Sequence, residues 1–130
     1  MLHKALTERI IKAFYQVYNG LGYGFLEKVY ENALVHELRK QGLKVEQQRP
    51  ISVHYDGEIV GNYFADLVID NKVLLELKSA ETINAAYVAQ LLNYLKATNI
   101  EVGLLLNFGP KPVFKRRILT NDRKPHLKHP

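Results

Sequence analysis

Residues 63–78, reading YFADLVIDNKVLLELK, constrain the fold more than any other stretch. Two apolar runs, 64–69 and 73–77, flank Asp70, Asn71 and Lys72, whose types favour a turn, so the segment is expected to be a β-hairpin near the middle of a sheet. A two-residue turn would set Asp66 against Leu75 and mix charged with apolar side chains. A three-residue turn sets Asp66 opposite Glu76, with Asn71 or Lys72 absorbing the irregular backbone. One face then carries Ala65, Leu67, Ile69, Val73, Leu75 and Leu77 and must be core. The other carries Phe64, Asp66, Val68, Leu74, Glu76 and Lys78.

Directly opposed residues on paired strands have Cβ atoms roughly 5 Å apart, a separation at which like charges repel. Two carboxylates held that close need a bound cation, a shared proton, or neutralisation by Lys78 on the same face. A hard divalent ion such as Mg²⁺, held by one or two carboxylates with waters and phosphate oxygens, suits a half-exposed strand pair. The plain alternative is an ordinary surface ion pair, Glu76 with Lys78 or Asp66 with Lys72, on the wet face of a hairpin.

At 130 residues the chain is long enough to fold as one domain without staples. It has no Cys, which excludes disulfides and thiolate metal sites and leaves His, Asp and Glu as the strong ligands. No apolar run approaches the roughly 20 residues that span a bilayer, and the first ten residues have no apolar core, so a cytoplasmic protein without membrane contact is expected. Of 18 basic residues, seven fall in 111–130 against the single acid Asp122, which leaves 11 basic and 12 acidic in 1–110. The basic end suits either a polyanion-binding arm or a solubilising tail.

Helical spacing of Ile10, Ile11, Phe14, Val17, Tyr18 and Leu21 predicts a helix over about 5–20, ended by Asn19, Gly20, Gly22 and Gly24. A second helix is expected from Phe25 to about Lys40, with Glu27, Tyr30 and Glu31 neighbouring on its flank. Glu27 lies in its first turn, where the helix dipole alone favours a carboxylate. Residues 43–55 read as a strand that Pro50 confines to an edge or a bulge, and Asp56-Gly57 reads as a hairpin turn into Ile59 and Val60. Three antiparallel strands in succession make a meander. A third helix is expected over about 82–97 with Ser79 as its start signal, placing Gln90 and Tyr94 on one face. The apolar run 102–108 reads as a buried strand, laid by a crossover parallel to the strand carrying Glu76, and 113–119 reads as a short edge strand. Residues 119–130 are expected to be a flexible basic tail, with His126 and His129 a solvated pair rather than a metal site. The glycines at 20, 22 and 24 fall between two helices and make no nucleotide cradle.

This order of elements, with Asp66 followed across a hairpin by Glu76-Leu77-Lys78, resembles the PD-(D/E)XK nuclease superfamily. Within it the chain is similar to the GxxExxY proteins, small bacterial and archaeal domains, through Gly24-Phe25-Leu26-Glu27-Lys28-Val29-Tyr30, and the likeness runs from about residue 10 to 118. Ala65 stands where many members have Pro, and Tyr23 where Pro is expected; both positions shape backbone rather than chemistry. The resemblance implies an α/β, restriction-endonuclease-like domain over 1–118: a central mixed sheet, with an antiparallel meander and a parallel strand after a crossover helix, flanked by helices.

It further implies that Asp66 and Glu76, with the Leu77 main-chain carbonyl and Glu27, hold Mg²⁺ or Mn²⁺, and that Lys78 acts beside the attacking water. Gln90 and Tyr94 match the QxxxY element of RecB-like members, and with Tyr30 they would stand behind the metal ligands or touch phosphate. Lys111, Lys115, Arg116 and Arg117 would contact backbone phosphates without sequence preference. The expected activity is metal-dependent phosphodiester hydrolysis in nucleic acid, DNA rather than RNA, with a homodimer allowed. A non-catalytic module that binds nucleic acid or protein on the same fold is the alternative.

Overall fold

The computed structural model describes residues 1–124; His126, Lys128 and His129 lie outside the described residues. Two helices, α1 (Lys4–Leu21) and α2 (Glu27–Lys40), precede strands β1 (Val45–Tyr55), β2 (Glu58–Ile69) and β3 (Val73–Lys78). Helix α3 (Ala85–Ala97) then leads to β4 (Val102–Phe108), β5 (Pro112–Ile118) and a short 3₁₀ turn (Asn121–Arg123). The strands lie side by side in chain order. β1, β2 and β3 form the expected antiparallel meander, β4 runs parallel to β3 after the α3 crossover, and β5 closes the other edge antiparallel to β4.

Both faces of the sheet are covered, so its centre is dry. The apolar stripe of α1 (Ile10, Ala13, Phe14, Val17) and that of α2 (Leu34, Leu38) bury Val73, Leu75, Leu77, Leu104 and Leu106. On the opposite face Leu91, Tyr94 and Leu95 of α3 bury Val68, Leu74 and Leu105. All seven residues of β4 are buried, which is why that strand is an unbroken apolar run. Pro50 is tolerated because β1 is an edge strand. Asp56 (φ 53°) and Gly57 (φ 80°) make the tight turn between β1 and β2. Among the described residues no helix is long and apolar enough to cross a membrane.

Ile69 pairs with Val73, so the central hairpin does have a three-residue turn. The left-handed residues are Asp70 (φ 50°) and Asn71 (φ 56°), while Lys72 returns to the strand by donating its amide to Ile69 at 2.9 Å. Two-residue alternation breaks at Asp66. Leu67 and Ile69 lie in the α1/α2 core as expected, but Ala65 and Ile51 pack with Val68 on the α3 side. Phe64, expected to share a face with Asp66 and Val68, is 55% exposed. The cause is local: pairing passes from Gln47↔Leu67 to Arg49↔Ala65, and Gln48 between them is left-handed at φ 53°.

Two further expectations are corrected. Helix α3 starts at Ala85, and its cap is Asn84, whose Oδ1 accepts from the Ala86 amide at 2.8 Å; Ser79 stays beside the end of β3. Residues 119–124, expected in a loose tail, are fastened down. The Leu119 amide donates to the Glu101 carbonyl at 2.8 Å, and the buried Lys124 Nζ donates to the carbonyls of Thr98 (3.0 Å) and Ile100 (2.6 Å).

Candidate active site

The acid pair forms where the β2–β3 ladder stops. Beyond Leu67↔Leu75 the next two residues are Asp66 and Glu76, and each carboxylate takes over a backbone donor of the other strand. The Asp66 amide donates to Glu76 Oε2 at 2.9 Å, and the Leu77 amide donates to Asp66 Oδ2 at 2.8 Å. Buried backbone N–H groups need partners, so side-chain oxygens replace the missing ladder carbonyls. The N–H and C=O of one strand residue point to the same side, so the Leu77 carbonyl also faces the Asp66 strand.

The pair is electrostatically expensive. Glu76 is 4% exposed, and burial, then the neighbouring Asp66 charge, push its carboxyl up to about 8. Asp66 is raised as well, by burial first and then by the charge of Glu31, against the opposing pull of the Leu77 amide. Among the described residues neither carboxylate forms an ion pair. Lys78 lies close enough for its charge to oppose part of the Glu76 shift, with its Nζ 4.7 Å from the centre of the Tyr87 ring.

A third acid stands behind the pair. Glu31 of α2 is 5% exposed; its Oε2 accepts from Lys28 Nζ (2.8 Å) and Gln47 Nε2 (2.9 Å), and its Oε1 accepts from Gln48 Nε2 (2.9 Å). That same Gln48 amide reaches Asp66 Oδ1 at 3.5 Å, linking α2 to the pair. Glu31 was visible in the sequence as a charge four residues after Glu27, within a helix whose neighbouring Tyr30, Leu34 and Val35 are core. Gln48 carried no signal, because its role depends on the left-handed backbone that turns it inward.

Glu27 is exposed at the start of α2, and its Oε2 accepts from the Ser79 amide at 3.2 Å, beside Lys78. Gln90 Nε2 donates to the Tyr94 hydroxyl at 2.8 Å. Burial, then the charge of Glu76, raise the Tyr94 phenol. Lys78, Gln90 and Tyr94 line a groove of about 830 Å³ between α3 and the outer part of the β1–β2 hairpin.

Other residues stand apart. Tyr30 is fully buried, stacked on Phe108 with ring centres 4.4 Å apart; its hydroxyl donates to the Gly22 carbonyl at 2.5 Å and accepts from the Phe25 amide at 3.2 Å, so it holds the α1–α2 connection. The basic residues in and just before β5 split between two faces. Lys111 and Lys115 line a second cavity of about 600 Å³ on the α3 side, whereas Arg116 turns to the other face and donates to the Leu2 carbonyl. Arg117 donates to the Arg116 carbonyl at 2.8 Å. Lys115 pairs with Leu105 and Leu105 with Glu76, so Lys115 lies two strands from the acid, roughly 10 Å across the sheet, with α3 packed over the row between them.

Among the described residues no three His, Asp or Glu side chains converge as a ready cage for a metal ion. The donor set is two carboxylates and a strand carbonyl. That is oxygen chemistry of the kind a hard divalent ion takes up.

A family model described as the PD-(D/E)XK nuclease superfamily matches residues 4–118. No curated protein matches the chain. Among solved structures, SSO0001 is similar at a TM-score of 0.56 and 16% identity, over 97% of this chain and 64% of its own length. An alkaline exonuclease (LHK-Exo) from Laribacter hongkongensis is similar at 0.53 and 10% identity, over 94% of this chain and 73% of the exonuclease. At such identities the likeness is one of fold, and this chain spans less than two-thirds of the length of the first and under three-quarters of the second. The architecture is the restriction-endonuclease-like α/β fold with a mixed sheet between helices.

Proposed function

This chain belongs to the PD-(D/E)XK nuclease superfamily, and from that premise we propose that it hydrolyses phosphodiester bonds in nucleic acid, DNA rather than RNA, with little sequence preference. The observation that carries this reading is the opposition of Asp66 and Glu76 across a hairpin, both raised by burial, with Lys78 beside them. A buried acid pair without an ion-paired partner has a strong demand for positive charge, and a divalent cation meets it.

Asp66, Glu76 and the Leu77 carbonyl would hold Mg²⁺ or Mn²⁺; Glu27 would have to leave the Ser79 amide to add an oxygen from α2. Such an ion, when bound, supplies Lewis acidity and makes a water acidic enough to attack phosphorus. The remaining work falls to the chain. The Lys78 ammonium offsets charge that builds on the phosphoryl oxygens; as a donor it orients the attacking water and does not take its proton. Gln90 fixes the Tyr94 hydroxyl by donating to it, which leaves the phenolic proton free to meet a phosphate oxygen. Glu27, through the Ser79 amide, steadies the strand end that carries Lys78. The finer likeness to GxxExxY proteins rests on residues 24–30, and the absence of Cys suits a cytoplasmic protein.

One observation favours the non-catalytic module instead: each acid already has structural employment on a backbone amide. Cleavage of single-stranded, duplex, flap and junction DNA and of RNA, in Mn²⁺ or Mg²⁺, separates the two. The nuclease reading expects DNA cleavage that Lys78→Ala reduces at least a hundredfold and Asp66→Ala abolishes. Calorimetry should show Mg²⁺ binding that Asp66→Ala removes. No metal-dependent cleavage of any substrate would hand the case to the module.

A further inference from the structure

The groove beside the acid pair has a lining of unusual chemistry. Its charged side chains are Lys78 and Lys96, His54 lines it as well, and no carboxylate does. Its aromatic walls come from Tyr63 on β2 and from Tyr87 and Tyr94 on α3, with Tyr63 and Tyr94 ring centres 5.7 Å apart and tilted by 46°. Tyr63 is 47% exposed and Val60 62% exposed, so the hairpin wall offers uncovered apolar surface next to cationic side chains. One end of the groove is lined by Lys78, two residues beyond Glu76 on β3, and by Tyr94, and the charges of Lys78 and Glu76 are felt by one another.

We infer that this groove is a track for single-stranded DNA, in which bases stack on Tyr63 and Tyr87 while Lys96 and Lys78 follow the phosphates into the acid pair. The inference rests on the nuclease reading and names the form of its substrate. Cations without competing carboxylates, interleaved with aromatic faces, are what a strand with unpaired bases requires; a duplex hides its base faces and offers only phosphate. At about 830 Å³ the groove is of the size that encloses small ligands, roughly 300–1,000 Å³, room for about a nucleotide or two at a time. Gly61 keeps the floor low: a Cβ there would come 3.1 Å from the Tyr63 ring and narrow the track.

The test is fluorescence anisotropy in EDTA, so that cleavage plays no part, with labelled oligo(dT), oligo(rU) and a hairpin duplex. The expected result is preference for oligo(dT), with affinity reduced roughly fivefold or more by Tyr63→Ala, Tyr87→Ala or Lys96→Glu and kept by Tyr63→Phe. Equal binding of duplex, tighter binding of oligo(rU), or no binding at all would overturn the inference. So would loss of binding in Lys115→Glu with no effect from the groove variants, which would move the contact to β5. Circular dichroism confirms that each variant is folded, and Gly61→Leu gives an independent block of the track. Oligo(dT) binding through the groove without cleavage in Mn²⁺ would defeat the nuclease reading alone; cleavage whose KM for single strands ignores the groove variants would defeat this inference alone.

Discussion

Replacing Glu76 by Gln should stabilise the metal-free protein in alkaline solution and leave it nearly unchanged in acid. In the folded chain the Glu76 carboxyl is raised from 4.5 to about 8 by burial and by Asp66. Between those values the folded state binds a proton that the unfolded state does not. Stability from this group is therefore fully present below about 4.5 and is lost as pH rises through about 8. Each pH unit in that window costs about 1.4 kcal/mol, so the full loss is on the order of 5 kcal/mol, an upper bound because the two acids share their burden. Asp66 is shifted in the same direction and adds to the slope.

Glutamine keeps the side-chain length and still accepts from the Asp66 amide, but carries no charge to desolvate. Urea titrations in EDTA, followed by far-UV circular dichroism because the chain has no Trp, should give matching stabilities at pH 5. At pH 8 Glu76→Gln should be the more stable by about 3 kcal/mol. Millimolar Mg²⁺ should narrow that gap by stabilising only the native-sequence protein. Parallel pH profiles for the two proteins would refute the reasoning, since they would mean that Glu76 is not held neutral by its surroundings.

Three other outcomes follow from contacts within the fold. Asn107 clamps Ala80 from both sides, accepting from its amide and donating to its carbonyl at 2.9 Å each, so Asn107→Leu should cost about 1–3 kcal/mol in urea unfolding and lower cleavage by misplacing Lys78. Gly103 lies against α3, where a Cβ would come 2.7 Å from Leu91 Cδ1; Gly103→Val should cost about 1–3 kcal/mol through overpacking, read as a drop in Tm. Lys124→Met should lose about 1–2 kcal/mol by leaving the Thr98 and Ile100 carbonyls without their donor, and the same urea titration measures it.

Hydrophobic period carried most of the architecture. The α1 and α2 stripes, the buried β4 run and the parallel return after α3 all follow from side chains that have to be hidden, and each is found. Polar contacts that depend on tertiary placement were less legible. Ser79 has the composition of a helix cap, but its amide goes to Glu27, and Asn84, one turn closer to the helical run, caps instead. Leu119 and Lys124 look like tail until the α3–β4 connection supplies carbonyls for them. The basic run of 111–117 reads as one patch in sequence, but strand alternation turns Lys115 and Arg116 to opposite faces.

The acids were legible because two charges in an apolar hairpin break its pattern; the groove was not, because it depends on where that pattern inverts. Had alternation continued through Asp66, Ala65 would lie with Leu67 in the α1/α2 core and Tyr63 would point to the same side. Instead the left-handed Gln48 and the skipped pairing at Asp66 turn Ala65 and Tyr63 towards α3. One distortion thus does two things: it frees the amide of Asp66 for Glu76, and it brings an aromatic wall over the path that leads to Lys78. A regular strand could supply either the acid pair or Tyr63 on the α3 face, but not both, since residues 63 and 66 differ by an odd number and period two sends them to opposite sides. The departure from regular structure is therefore where the acid pair and the aromatic wall come together.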